Sequence, residues 1–189
     1  MKRRAESQEQ TRRRITESAV ELHGTVGPCR TSISAVAVHA GVRRSTVYRH
    51  FPDDAALFDA CTAHWATANP PPDLAAWAAI EAPDERLRVA LDEIYAFYAQ
   101  TERMLDNLFR DESLVPEIEQ RFVAFRGYVA AARDALMTGR KPRGAARRRT
   151  KAAVGHVIAF TTWKSLVHEQ QLTDAEAAAL MYALVEGPD

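Results

Sequence analysis

The chain has 189 residues, 47% of them hydrophobic, which suits one or two small globular domains and excludes wholesale disorder. Its 25 Lys/Arg balance 25 Asp/Glu, but unevenly: residues 1–50 hold ten basic and four acidic side chains, a net +6, which leaves residues 51–189 at −6. A cationic head on an acidic body points to a polyanionic partner, while the lack of a long apolar run excludes a bilayer-spanning role.

The opening stretch, "MKRRAESQEQTRRR", is basic with no apolar segment behind it, so it does not read as a secretory signal, and the expected address is the cytoplasm. Residues 9–26 predict a helix, with Ile15, Ala19, Leu22 and Val26 at three- and four-residue spacing. "GTVGPC" breaks it. The next helix is capped by Thr31 or Ser32, carries Ile33, Val36, Ala37 and Ala40 on its apolar stripe, and ends at Gly41. A short helix at 44–50 follows, then one at 53–67 that opens on Asp53 as cap and Asp54. "ANPPPD", 68–73, cannot be helical and marks the expected hinge. It gives a head over 1–67, a Pro-rich hinge over 68–72 and a helical body over 73–189. Helices are expected in the body at 73–80, 84–100, 102–112, 115–138 and 147–169. A last helix, 173–186, starts on the capping-box pattern "TDAE". "TGRKPRGAARRRTK", 138–151, has seven basic residues and reads as a solvated, mobile loop running into a helix. Cys29 and Cys61 are too few for a disulfide framework and read as small buried hydrophobes.

Residues 33–50, two short helices about a Gly turn, match a helix-turn-helix. Ala37 is small where the helices approach, and Val42 and Val47 face inward, so Arg43–Thr46 face outward as a recognition helix does. An arginine there can grip the O6/N7 edge of guanine. Tyr48 and His50 suit phosphate oxygens. Phe51 reads as packing, and His39 as exposed. Lys2, Arg3, Arg4 and Arg12–Arg14 read either as an arm beside the head, on phosphates or in the minor groove, or as a solvated tail.

"ISAVAVHAGVRRSTVYRHFPDDAALF" resembles the DNA-binding domain of the tetracycline-repressor (TetR) family of transcriptional regulators. The resemblance is carried by Thr46, Val47, Tyr48, Arg49, His50 and Phe51, then by Asp53, Leu57 and Phe58, and covers about residues 9–66. It implies an all-α protein: an N-terminal three-helix helix-turn-helix head and a C-terminal helical bundle for ligand binding and dimerisation. It further implies a homodimer on a palindromic DNA operator, usually a repressor, whose heads move apart when a small-molecule effector binds. Ser32, Arg43, Arg44, Ser45, Thr46, Tyr48 and His50 sit where family members touch DNA. Two positions depart from the family pattern. Asp54 stands where a phosphate-binding Lys is usual, and Arg43 replaces a small polar residue.

In the body, Tyr95, Tyr98, Met104, Phe125, Tyr128, His156 and Trp163 are candidate pocket residues for a mostly apolar ligand, with plain core packing as the alternative. The predicted 147–169 helix is apolar on two sides, and the last helix has Ala177, Leu180, Met181 and Leu184. Together, 147–186 are expected to form a four-helix dimer interface. No metal-spaced His/Cys set, phosphate-binding Gly loop or Ser-His-acid grouping points to an enzyme, a metal or a cofactor. Adjacent Asp111 and Glu112 read as solvated. The competing reading is a helical interaction module, or an enzyme-like ligand binder, whose head has lost operator binding, suggested by Asp54.

Overall fold

Breakers, caps and stripes along the chain resolve into helices in a computed structural model, which describes residues 2–186; no strand occurs among them. In order, the helices are α1 (Lys2–Thr25), a 3-10 turn (Pro28–Arg30), α2 (Ile33–His39), α3 (Arg44–His50), α4 (Asp54–Ala68), α5 (Leu74–Ala78), α6 (Pro83–Asp111), α7 (Pro116–Met137), α8 (Gly144–Val157), α9 (Phe160–Lys164), a π turn (Ser165–Glu169) and α10 (Asp174–Glu186). None of the described helices is long and apolar enough to cross a membrane. The caps form locally as expected. Ser32 Oγ accepts from Ala35 N–H at 3.1 Å and Asp53 Oδ1 from Ala56 N–H at 2.8 Å. Thr173 and Glu176 close a capping box, with Thr173 N–H donating to Glu176 at 2.8 Å and Glu176 N–H to Thr173 Oγ1 at 3.3 Å.

Two units emerge: residues 1–70 with 102–122, and residues 71–101 with 123–189. In the first, α1 packs on α2 and α4, and α2 on α3. Ile15, Ala19, Val36, Ala37, Ala40, Val47, Phe51, Leu57 and Cys61 form one buried cluster. Val47 and Phe51, one turn apart, tie α3 into it, and fully burying a side chain of this kind is worth roughly 1.5–3 kcal/mol. Burial pushes the Cys61 thiol up to about 12, so it packs as a neutral hydrophobe. Cys29, expected to be buried, is exposed instead.

The second unit is built on the first two-thirds of α6, whose Leu87, Ala90, Leu91, Ile94, Tyr95 and Tyr98 are buried at three- and four-residue spacing. Val154, Val157, Ile158, Phe160, Trp163, Ala177 and Met181 are also core, and α8 packs on α10. Arg86, only 3% exposed, donates to the carbonyls of Ile80, Glu81, Ala135 and Thr138. One guanidinium thus joins the chain after α5 to the end of α7. Arg140 adds bonds to Leu136 O at 3.0 Å and Pro83 O at 3.1 Å, and an ion pair with Glu186.

Three expectations are corrected. Helices 84–100 and 102–112 are one helix: Thr101 between them is helical, and its hydroxyl bonds back to Phe97 O at 2.6 Å. The helix predicted over 147–169 ends at Val157, and the chain re-enters at Phe160. The break is stabilised from α6, where Tyr95 and Tyr98 hydroxyls donate to Val157 O and Ile158 O, both at 2.7 Å. Finally, α8 begins at Gly144, three residues before the expected start at 147, with Arg147–Arg149 exposed on it.

Candidate nucleic-acid interface

The turn between α2 and α3 needs its glycine. Gly41 has φ 63°, in the left-handed region, and Val42 N–H reaches back to Ala37 O at 2.9 Å. The next helix, α3, then buries Val47 and leaves Arg43, Arg44, Ser45, Tyr48 and Arg49 exposed, with Thr46 and His50 half-buried. Ser32 is exposed at the cap of α2. The helix-turn-helix therefore presents one row of donors while its opposite side is fixed in the core. Within that row, Arg44 Nη2 donates to Tyr48 Oη at 3.1 Å, and its guanidinium carbon lies 5.4 Å from the Tyr48 ring centroid.

Arg12 supports α3 from behind. From α1 it donates to His50 O at 2.9 Å, and its guanidinium lies 4.4 Å from the centroid of the Phe51 ring. A cation at the end of a helix also favours the dipole. Arg13 is paired with Glu17 at 2.7 Å. Two of the arm arginines are thus engaged with the protein, and α1 extends the helix back through Arg3 and Arg4. The His50 Nε2 atom is buried without a hydrogen-bond partner. Partial burial first, then the Arg49 and Arg12 cations, hold this imidazole below its ordinary pKa.

The last turn of α6 is docked against the segment after α1. Asn107 Nδ2 donates to His23 O at 2.9 Å, Arg110 Nη2 to Val26 O at 3.1 Å, and Cys29 N–H to Asp111 Oδ2 at 3.0 Å. Arg110 also bonds Asn107 at 2.8 Å and Asp111 at 2.8 Å. Asp111 is 2% exposed, correcting its reading as a solvated acid. Burial works against its charge, but the Arg110 bond and the Cys29 N–H outweigh it and hold the carboxyl below its usual range. Gly27, with φ 93°, lies where a Cβ would overlap the Arg110 guanidinium and the Asp111 carboxylate. The His23 ring is buried against Phe58, 5.2 Å between centroids, and desolvation lowers its pKa to about 4 despite the attraction of Asp111. This docking set escaped the sequence reading. Its one local trace is the spacing of Asn107, Arg110 and Asp111 on one helical face.

Among the proposed pocket residues, Tyr95, Tyr98 and Trp163 are buried together about Phe160; Tyr98 lies 5.4 Å from Phe160 and 5.9 Å from Trp163. Their polar atoms are taken: the two phenols by Val157 O and Ile158 O, and Trp163 Nε1 by Asp174 at 2.8 Å. Burial pushes both phenols upward, so they stay neutral. Tyr128 donates to Pro72 O at 3.0 Å and Phe125 is half-buried. His156 is exposed, its Nδ1 3.4 Å from Thr162 Oγ1. Met104 belongs to the first unit, the others to the second. No cluster of His, Cys, Asp or Glu among the described residues could hold a metal ion.

Residues 15–61 match the family model described as bacterial regulatory proteins, tetR family. The head is similar to that family over these residues. No curated protein matches the chain. Solved structures share the fold over nearly the whole length. The TetR-family transcriptional regulator PfmR from Thermus thermophilus has a TM-score of 0.65 at 19% identity, covering 93% of this chain and 96% of its own. NalD, the secondary repressor of the MexAB-OprM multidrug efflux pump in Pseudomonas aeruginosa, gives 0.63 at 20%, covering 96% of each. The transcriptional regulator FadR from Bacillus subtilis, in complex with stearoyl-CoA, gives 0.62 at 18%, covering 93% and 98%. The fold is therefore shared with these proteins: an all-α chain with a helix-turn-helix head and a helical C-terminal bundle.

Against that TetR pattern, Asp54 lies exposed in the first turn of α4. The Tyr48 bond, and in lesser degree the Asp54 carboxylate, raise the Arg44 guanidinium above its ordinary pKa. Arg43, the other departure, is the N-cap of α3 but makes no side-chain cap bond.

Proposed function

We propose that the chain is a homodimeric transcriptional repressor acting in the cytoplasm, released from a palindromic DNA operator by a small, mostly apolar effector. The carrying observation is the exposed row of Arg43, Arg44, Ser45 and Tyr48 on a helix pinned by Val47, Phe51 and Arg12. Ser32, Thr46 and His50 complete the DNA-facing set. Arg44 reads a base, and the other donors set register on phosphates. On a selected operator, Arg44→Ala is expected to cost about 1–3 kcal/mol and relax preference at one base pair, as measured by competition binding. An equal loss on every sequence would make Arg44 a phosphate contact instead.

The effector site is proposed within the second unit, among the aromatic side chains Tyr95, Tyr98, Phe125, Tyr128 and Trp163, with His156 as a further candidate. With the Tyr95 and Tyr98 hydroxyls committed to backbone, their ring faces are what a ligand meets, in keeping with an apolar effector. Residues 147–186 supply the dimer interface. Exposed Ala179, Leu180 and Leu184 line the outer side of α10, beside α8, where a partner copy would cover them. Leu180→Glu with Leu184→Glu is expected to convert a dimer to a monomer in sedimentation at micromolar concentration. A wild-type chain already monomeric there would contradict the interface.

The competing reading, a head without operator binding, draws on Asp54. Duplex binding that weakens steeply with salt separates the two readings.

A further inference from the structure

The outer side of α3 holds a pair of side chains that already contact each other in the DNA-free chain. Arg44, the first residue of α3, and Tyr48, one turn on, are bonded at 3.1 Å, with the guanidinium over the ring at 5.4 Å. Both are exposed, and no carboxylate holds Arg44 in an ion pair within 4.0 Å among the described residues. An arginine carries five N–H donors in a planar fork. The Tyr48 bond takes one N–H of Nη2 and leaves the other, which with its parallel neighbour on Nη1 or Nε is enough for a two-bond grip on a guanine edge. A free arginine would lose much of its rotamer freedom on gripping a base. One already tethered at two points loses less. The backbone beneath the pair is also fixed, by buried Val47 and Phe51 and by Arg12 on His50 O.

We propose that Tyr48 is a positioning residue for Arg44, its hydroxyl holding the guanidinium for base reading, so that the two act as one specificity-determining unit. This rests on the reading of α3 as the DNA-reading helix, and it reassigns the Tyr48 hydroxyl from a phosphate oxygen to Arg44. Tyr48→Phe keeps the ring and removes only the oxygen that accepts from Arg44.

The test has a DNA-free and a DNA-bound arm. In the free protein, side-chain Nε relaxation by NMR should show Arg44 ordered in the wild type and mobile in Tyr48→Phe. Equal mobility in both would overturn the tether whether or not DNA binds. On the duplex that the wild type selects, a double-mutant cycle should show roughly fivefold weaker binding for Tyr48→Phe alone, and under twofold for the same change in an Arg44→Ala background. Both single variants should relax preference at the same base pair. Equal loss in the two backgrounds, or loss spread over all sequences, would return Tyr48 to an independent phosphate contact and overturn the proposal. A wild type that selects no duplex would end the DNA reading, and base reading by the pair with it, while the NMR arm still reports on the tether.

Discussion

Arg86→Ala is expected to destabilise the chain by about 3 kcal/mol or more, read as a lower denaturant midpoint with the helical signal of the folded state unchanged. The guanidinium is 3% exposed and donates only to backbone carbonyls: Ile80 and Glu81 after α5, Ala135 and Thr138 at the end of α7. Helix-terminal carbonyls are the orphans of helix geometry, and a positive charge among them is favoured by the dipole as well. Alanine removes every one of these bonds and empties a buried site. Arg86→Lys should recover less than half of the loss, because a single ammonium cannot reach both groups of carbonyls in the plane of a fork. Arg88, two residues on, is exposed and paired with Glu85, and Arg88→Ala should scarcely move the midpoint. A full rescue by lysine would mean that charge, and not the fork, holds the end of α7.

Acidification is expected to weaken the first unit through His23. Its folded-state pKa is lowered from 6.5 to about 4, chiefly by desolvation. Above pH 6.5 the imidazole is neutral in both states and its burial costs no proton. As pH falls through the window from 6.5 to 4, the unfolded chain takes up a proton that the folded chain refuses, and stability drops by roughly 3 kcal/mol in all. Below about 4 the folded ring is protonated as well, and this contribution flattens. Asp111 acts outside that window: its depressed carboxyl contributes stability that is present above the ordinary carboxylate range and lost at still lower pH. Denaturant unfolding between pH 7 and pH 4 should therefore slope more gently for His23→Phe, which keeps a ring against Phe58, than for the wild type. Identical slopes would show that His23 is accessible to protons in the folded head.

The head was legible because its determinants are local. Ser32 and Asp53 cap in place, Gly41 takes the turn that only a glycine takes freely, and Val47 and Phe51 fall inward on a one-turn spacing. What escaped depends on partners distant in sequence. Thr101 falls between the two helices expected at 84–100 and 102–112, yet it lies inside one, its hydroxyl bonding the preceding turn. The break after Val157 follows from two tyrosines some sixty residues earlier that take its carbonyls. Asp111 and Glu112 look alike in the sequence, yet Asp111 is buried under the Gly27 turn by a backbone N–H 82 residues away. The same holds for the arm: by sequence Arg12 reads as a solvated or DNA-bound arginine, and only the end of α3 reveals it as a strut. The pocket residues remained least legible, since aromatic rings at helical spacing serve a core and a ligand equally well.

Selection of randomised duplex DNA by the purified chain in low-salt buffer tests the central claim most directly. A dimeric TetR-type reader should enrich an inverted repeat whose half-sites lie about one helical turn apart, and its binding should fall steeply as salt is raised. A flat selection, with no sequence enriched over the input pool, would contradict it.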